Sequence, residues 1–122
     1  MKKVTYEAGL QGEEIAKDYL VRKGMRCIET RYREKPGEID LIMEDGDTVV
    51  FVEVKARFSQ RQQGFGLSAV TPAKQKKIAR AAVLFLARKN WLKRAVRFDV
   101  LEINQEQILH IPNAFQPGGM MF

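Results

Sequence analysis

GEIDLIMEDGDTVVFVEVK, residues 37–55, contains two apolar segments on either side of the turn-forming sequence EDGD. Short segments rich in Ile, Val and Phe predict β-strands, and the Asp and Gly residues between them predict a hairpin turn. We therefore predict strands over residues 38–43 and 48–57. Charged side chains are depleted from strands and costly to bury without partners, so those found here require an explanation. They are Glu38, Asp40, Glu53 and Lys55.

The turn decides which of these charged side chains face each other. Alternate residues of a strand lie on the same face. If residues 46–47 are the central pair of the turn, Asp40 lies directly opposite Glu53; if residues 45–46 are central, the two are diagonal neighbours. Both registers predict Asp40, Glu53 and Lys55 on one face. The other face is predicted to consist of Ile39, Leu41 and Met43 from one strand and Val50, Val52 and Val54 from the next.

Two carboxylates at neighbouring cross-strand positions can bind a cation. Their Cβ atoms are about 5 Å apart when directly opposite and about 7–8 Å apart on the diagonal. Paired carboxylates repel, so one takes up a proton unless a cation joins them. Mg²⁺ prefers oxygen ligands and is commonly bound by one or two carboxylates plus substrate phosphate. The pattern predicts a Mg²⁺ or Mn²⁺ site at Asp40 and Glu53, with Lys55 beside it; the alternative is an exposed face of cross-strand ion pairs.

Length and composition predict one domain over residues 1–122. The chain is 45% apolar, which is enough for a packed core. It has no apolar run long enough to span a membrane, and its basic N-terminus lacks the apolar region of a secretory signal. Its single cysteine, Cys27, excludes an internal disulfide. These features predict a cytoplasmic protein.

The charge is unevenly distributed along the chain. The net charge is +6, and no Asp or Glu occurs from Val54 to Phe98, a segment with twelve Lys and Arg residues. The remainder carries nine basic residues and all 15 acidic ones. A large segment of one sign can form a positive surface that attracts polyanions, so we favour a nucleic acid as partner. The alternative is a solvated basic helix.

The rest of the chain predicts an α/β fold. Apolar stripes indicate helices over residues 8–23 and from Thr71-Pro72, a capping pair, to about residue 90. The predicted order is α-β-β-β-α-β(-β), with helices packed on a mixed sheet. The remaining predicted segments are strands over 25–33, 96–103 and 108–111, a loop over 58–69 and a flexible tail over 116–122.

The ordered motifs resemble a known family. Asp40 followed by Glu53-Val54-Lys55 resembles the D…(D/E)-x-K core of the PD-(D/E)xK nuclease superfamily, with Ile39 replacing the proline that names it. Nearly the whole chain is similar to the YraN-like bacterial family, an uncharacterised group similar in fold to archaeal Holliday junction resolvases. The matching motifs are Gly12-Glu13, residues 37–42, residues 51–57, Phe65-Gly66, residues 97–100, His110-Ile111 and residues 113–115.

The resemblance implies a restriction-endonuclease-like core and a role for each matching site residue. Asp40 and Glu53 would be metal ligands, with the Val54 backbone carbonyl as a third. Lys55 would be the catalytic lysine, and Glu13 would be the helix acid that completes the site. The implied substrate is DNA, branched or flapped as for resolvases, and the analogy also suggests a homodimer. The alternative for Glu13 is a surface ion pair one turn along its helix, with a lysine.

Basic residues after the hairpin are candidate contacts for a nucleic-acid backbone. Lys74 lies on the apolar face of the second helix, in its first turn, where it either contacts phosphate or only extends past the core to solvent. Phe65 and His110 are interpreted as structural residues, and Cys27 as a small buried one. The candidate nucleic-acid contacts are Arg57, Lys74, Lys76, Lys77 and Arg80.

Together these features favour a metal-dependent DNA endonuclease over three alternatives. A non-catalytic nucleic-acid-binding module of the same fold has no need for the costly charges at Asp40, Glu53 and Lys55. A glycosidase-type hydrolase with two carboxylates fits poorly with the basic segment. A small scaffold protein stays open.

Overall fold

The part of the chain that the structure describes folds into two helices and five strands in the predicted order, α-β-β-β-α-β-β. The computed structural model describes residues 2–35, 37–56, 70–105 and 107–117, with side chains from residue 11 onward. The elements are α1 (Lys2–Arg22), β1 (Arg26–Glu34), β2 (Gly37–Asp45), β3 (Thr48–Ala56), α2 (Pro72–Lys89), β4 (Val96–Ile103) and β5 (Ile108–Phe115).

The strands form one mixed sheet in the order β1-β2-β3-β4-β5. Neighbouring strands are antiparallel except β3 and β4, which are parallel because the chain returns through α2 between them. The mixed sheet with flanking helices confirms the predicted fold class. The hairpin of β2 and β3 lies in the middle of this sheet, so its charged side chains are close to the core.

The two helices cover opposite faces of the sheet. Ala16 and Leu20 of α1 pack on one face, and Ile78 and Phe85 of α2 pack on the other, which confirms both predicted apolar stripes. Each large side chain buried in this way contributes roughly 1.5–3 kcal/mol to stability. We call these two sides the α1 face and the α2 face.

The helix ends follow the predicted signals. Gly24, two residues after the end of α1, has a φ of +102°, a conformation that glycine adopts at little cost. The hydroxyl of Thr71 accepts a hydrogen bond from the Lys74 N–H at 3.2 Å, and Pro72 occupies the first turn of α2. The second helix ends at Asn90, which is left-handed.

Two boundaries differ from the prediction. Helix α1 begins at Lys2 rather than residue 8, since no Gly or Pro interrupts residues 2–7. Strand β5 extends to Phe115 rather than 111, because Pro112, which has no N–H to donate, is tolerated in an edge strand. The predicted loop over residues 58–69 and residues 118–122 of the predicted tail lie outside the described residues.

The hairpin adopts the first of the two predicted registers. Asp45 pairs with Thr48 and Leu41 with Val52, so residues 46–47 are the centre of the turn, and the next pair along this register is Asp40 and Glu53. Gly46 has φ of +60°, as such a turn requires.

The predicted face of Ile39 is wrong. Ile39 packs in the α2-face cluster, whereas Leu41 and Met43 pack on the α1 face. The two-residue period fails between Ile39 and Leu41, although their partners Tyr32 and Thr30 stay in one register; the register shift between β1 and β2 lies between Cys27 and Glu29. Arg31, which stands between two residues paired with β2, has φ of +54°, a left-handed conformation foreign to a regular strand.

Gly37 allows α2 to lie directly against the start of β2. A Cβ atom at this position would be 2.7 Å from the carbonyl oxygen of Lys77, closer than real Cβ atoms come to backbone. The first turns of α2 therefore approach the hairpin backbone to backbone, and bring their lysines to the charged residues of the sheet.

Candidate metal centre

The carboxyl groups of Asp40 and Glu53 lie side by side across the hairpin. They are close enough for the charge of Glu53 to affect Asp40, and Oδ2 of Asp40 accepts a hydrogen bond from the Val54 N–H at 2.8 Å. The side chain of Glu53 is 7% exposed. An acidic side chain of β2, rather than a backbone carbonyl, thus accepts from a backbone donor of β3.

The charge of Glu53 disfavours ionisation of Asp40. Burial, followed by the negative charge of Glu53, raises the pKa of Asp40 to about 8, although the Val54 N–H acts in the opposite direction. Near neutral pH the Asp40 carboxyl group therefore retains a proton unless a cation replaces it.

Two lysines contact the same oxygen of Glu53. The Nζ atom of Lys55 is 3.2 Å from Oε2, and that of Lys74, from the first turn of α2, is 2.5 Å from it. Burial and the neighbouring Lys74 lower the pKa of Lys55. For Lys74, burial alone would lower the pKa, but the contact with the carboxylate of Glu53 outweighs burial and raises the pKa.

Glu13 is near the pair but is held by another residue. Its Oε1 lies 3.1 Å from Nε of Arg31, while the alternative lysine partner, Lys17, pairs with Glu14 instead. Burial raises the pKa of Glu13 despite Arg31, and the charge of Glu53 contributes to the same effect. Within the described parts of the chain, no three His, Cys, Asp or Glu side chains are grouped to hold a metal ion. The role of Glu13 as a ligand stays a prediction.

The donor set of the pair fits a hard divalent cation. Two adjoining carboxyl groups offer oxygen ligands of the kind that Mg²⁺ and Mn²⁺ bind, and a cation between them would offset the negative charge of Glu53 that contributes to the raised pKa of Asp40. Asp40 and Glu53 would hold it, and the Val54 carbonyl, which the resemblance implies as a third ligand, stays a prediction. Because Mg²⁺ usually retains several waters, two carboxylates are sufficient.

A cavity of about 600 Å³ opens over the carboxyl pair. Asp40 and Glu53 line it from the sheet, and Lys74 and Lys77 line it from α2. Lys76 and Arg80 are exposed on the same helix but do not line the cavity, and Arg57 lies outside the described residues.

The comparisons with known proteins agree on one family. The model of the uncharacterised protein family UPF0102 matches residues 12–103, most of the chain. The chain belongs to this family. It is 43% identical over 114 residues to the UPF0102 protein of Alkalilimnicola ehrlichii, covering 93% of this chain and 90% of that relative. It is 44% identical to the UPF0102 protein of Geobacter sulfurreducens, covering 88% of each.

Membership of UPF0102 confirms the resemblance to the YraN-like family. All of the described site residues, from Glu13 to Lys77, lie within the matched region. The description of UPF0102 names no activity. The proposed function is therefore inferred from the geometry of the site. No helix in the described parts of the chain has the length and apolar character needed to cross a membrane.

A second buried acid, Asp99 of β4, forms the centre of a different charged cluster. The side chain of Asp99 is fully buried and accepts hydrogen bonds from Arg97 (3.0 Å), His110 (2.7 Å) and the Asn113 N–H (2.9 Å). Lys23 donates to Nδ1 of His110, so Nε2 carries the hydrogen that Asp99 accepts. We call these residues the Asp99 cluster.

Sequence reasoning did not identify two contacts of the candidate site. The position of Lys74 on the apolar face of its helix indicated a side chain directed at the sheet, but not its partner Glu53. Nothing in the sequence marked Arg31, whose left-handed backbone and ion pair with Glu13 depend on the irregular pairing of β1 and β2.

Proposed function

We propose that this protein is a metal-dependent endonuclease that hydrolyses phosphodiester bonds of DNA. The observation that carries the proposal is the contact between Asp40 and Glu53, with Lys55 bonded to Glu53, at a cavity lined by further lysines. This arrangement combines ligands for a hard cation with positive groups for an anionic substrate. The D…E-x-K order of these residues, and the similarity to resolvases in fold, support the same reaction.

The residues divide the reaction between them. Asp40 and Glu53 would hold Mg²⁺ or Mn²⁺ facing the cavity. Such an ion, when bound, activates water and neutralises the charge that develops on the phosphodiester. Lys55 orients the attacking water or stabilises the transition state from its position on Glu53. Lys74 and Lys77 bind the phosphates of the strand that enters the cavity.

The substrate follows from the basic segment and the resemblance. Contacts from Lys and Arg to phosphate make binding salt-sensitive and weakly dependent on sequence. Branched or flapped DNA is the proposed substrate, by similarity to resolvases. A homodimer and a cytoplasmic location stay predictions.

The competing function is a nucleic-acid-binding module without catalysis. Such a module would bind DNA through the same basic surface. Binding alone would not require the two neighbouring carboxyl groups. A buried acid pair with a raised pKa is costly to maintain, which favours the enzyme.

A cleavage assay tests the proposal. Purified protein is incubated with Mg²⁺ or Mn²⁺ and single-stranded, duplex, flap or four-way DNA, beside the variants Asp40→Ala and Lys55→Ala. We expect metal-dependent cleavage in the wild type and its loss in both variants.

Two exposed charges away from the cavity provide matched controls, Asp18→Ala on α1 and Lys93→Ala before β4. Both controls should cleave as the wild type does. Salt-sensitive DNA binding without cleavage, equal in all variants, would support the binding module instead. Absence of binding to any nucleic acid would exclude both functions.

A further inference from the structure

Lys74 and Lys55 are both within hydrogen-bond reach of one carboxylate oxygen, Oε2 of Glu53. The carboxylate of Glu53 is one of the two ligands of the proposed metal site. A divalent cation and two ammonium groups repel each other strongly at such distances, even at the effective dielectric constant of about 20 that suits protein sites. At least one lysine must therefore leave Glu53 when a cation binds there.

The two lysines differ in their freedom to leave. The side chain of Lys55 is 18% exposed and extends from the same strand as Glu53, whereas that of Lys74 is 41% exposed and extends from the first turn of α2. Lys74 also lines the cavity, together with Lys77, so its ammonium group can move into that space while its backbone stays in the helix.

We infer that Lys74 is an exchangeable counter-ion of the site: it occupies Glu53 in the metal-free protein and moves to a substrate phosphate when a divalent cation binds. The inference rests on the proposed function for the identity of the cation and the phosphate. It assigns to Lys74 a role distinct from that of Lys55, which stays on Glu53 throughout.

This exchange couples the binding of cation and substrate. Without an anion in the cavity, a bound cation leaves Lys74 near a concentration of positive charge with no partner. A phosphate group supplies that partner, so the cation binds weakly alone and more tightly with DNA. By linkage, DNA must bind more tightly with the cation to the same degree.

Titration calorimetry with Mn²⁺ alone tests the first half of the inference. We expect Lys74→Met to bind Mn²⁺ about tenfold more tightly than the wild type, because the competing ammonium group is gone. Lys74→Gln, which keeps a hydrogen-bond donor but no charge, should behave in the same way. Lys93→Met, which removes an exposed lysine outside the cavity, should leave the Mn²⁺ affinity unchanged.

Fluorescence anisotropy with a labelled DNA duplex tests the second half. Ca²⁺, which takes oxygen ligands as Mg²⁺ does, should strengthen DNA binding by the wild type about tenfold relative to EDTA. In Lys74→Met this gain should fall to about twofold or less, since the variant no longer needs the phosphate to neutralise Lys74.

The outcomes separate this inference from the proposed function. Mn²⁺ affinity that is unchanged or weaker in both Lys74 variants would overturn the exchange, even if the wild type cleaves DNA. Tighter Mn²⁺ binding in both variants would support the exchange, even if no substrate is cleaved. A merely structural role for Lys74 predicts lower stability with no gain in Mn²⁺ affinity.

Discussion

Two clusters around buried acids, both within the described residues, shift the pKa of their acid in opposite directions. In the Asp99 cluster, burial alone would raise the pKa of the acid, but hydrogen bonds from His110, Arg97 and the Asn113 N–H outweigh it and lower the pKa. At the candidate metal centre, Asp40 has one backbone donor and another carboxyl group as its neighbour, and its pKa rises to about 8.

The difference separates a structural cluster from a binding site. Asp99 already has several donors, among them a guanidinium group, so a further cation would gain little there. At the candidate metal centre both lysines contact Glu53, while Asp40 receives one backbone N–H and lies beside another carboxyl group, so we expect a cation from solution to be bound next to Asp40. Burial of an acid therefore does not identify a site by itself; the kind of group that contacts it does.

The largest expected effect is the loss of cleavage in Asp40→Asn combined with a gain in stability. The amide removes a ligand for the cation, so we expect cleavage to fall by about 10³-fold or more. It also removes the repulsion between the acids, so the free energy of unfolding should rise by about 1–2 kcal/mol. Cleavage rates and urea unfolding measure the two effects. A less stable Asp40→Asn would make this pair a structural cluster like that of Asp99, and the comparison would fail.

Asp99→Ala should have the next largest effect, on stability alone. It leaves Arg97 and His110 without their buried acceptor, at an expected cost of about 3 kcal/mol. Urea unfolding measures the cost, with the exposed residue change Asp18→Ala as the control. Mn²⁺ affinity should stay the same, and a large change in that affinity would mean that the two clusters are not independent.

The pH dependence of stability distinguishes the two clusters by sign. The pKa of Asp40 is about 8 in the folded protein and has its ordinary value of 3.8 in the unfolded chain. Between these two pH values the folded state therefore holds a proton that the unfolded state has lost. The free energy of unfolding should therefore fall with rising pH between about 4 and 8, by about 2 kcal/mol more in the wild type than in Asp40→Asn.

This comparison requires metal-free buffer, because a bound cation would lower the pKa of Asp40. Asp99 contributes in the opposite sense: its lowered pKa adds stability that is present above its ordinary value of 3.8 and is lost as the pH falls below it. Equal pH profiles of stability for the wild type and Asp40→Asn would show that the pKa of Asp40 is not raised in the folded protein.

The smallest expected effect concerns the lysines of α2. Lys77 lines the cavity and Lys76 does not, so Lys77→Met should weaken DNA binding more than Lys76→Met does. We expect a loss of about threefold to fivefold for Lys77→Met, and a decrease of about one in the slope of log K against log salt. Anisotropy titrations at several salt concentrations measure both. An equal loss of DNA affinity in both variants would indicate that DNA binds to a diffuse basic surface rather than with one DNA strand in the cavity.

In the hairpin, the local sequence pattern predicted the strands but not the register of the turn. Period-two alternation and the EDGD turn predicted the two strands and placed Asp40, Glu53 and Lys55 together, because these features involve neighbours along the chain. The choice between two turn registers was not available from sequence, since Asp45-Gly46 and Gly46-Asp47 are both acceptable turn centres. The pairing of Asp45 with Thr48 decides it.

Other features depend on contacts between distant segments. The face of Ile39 was mispredicted because a strand period assumes regular pairing, whereas β1 has a left-handed residue, Arg31, at that level. Lys74 is 21 positions from Glu53 in sequence and contacts it only after the crossover helix packs on the sheet. The Asp99 cluster was visible only as separate motifs, because its members come together through the pairing of β4 with β5.

Close main-chain contact at Gly37 sets the width of the cavity, whereas side chains set its charge. The backbone of β2 and the carbonyl of Lys77 meet there without a side chain between them, so main-chain contact fixes the distance from α2 to the sheet. Side chains on the cavity wall can then be exchanged during evolution or redesign without changing its width. Replacement of the lysines of α2 is therefore expected to change the charge of the cavity and to leave its width unchanged.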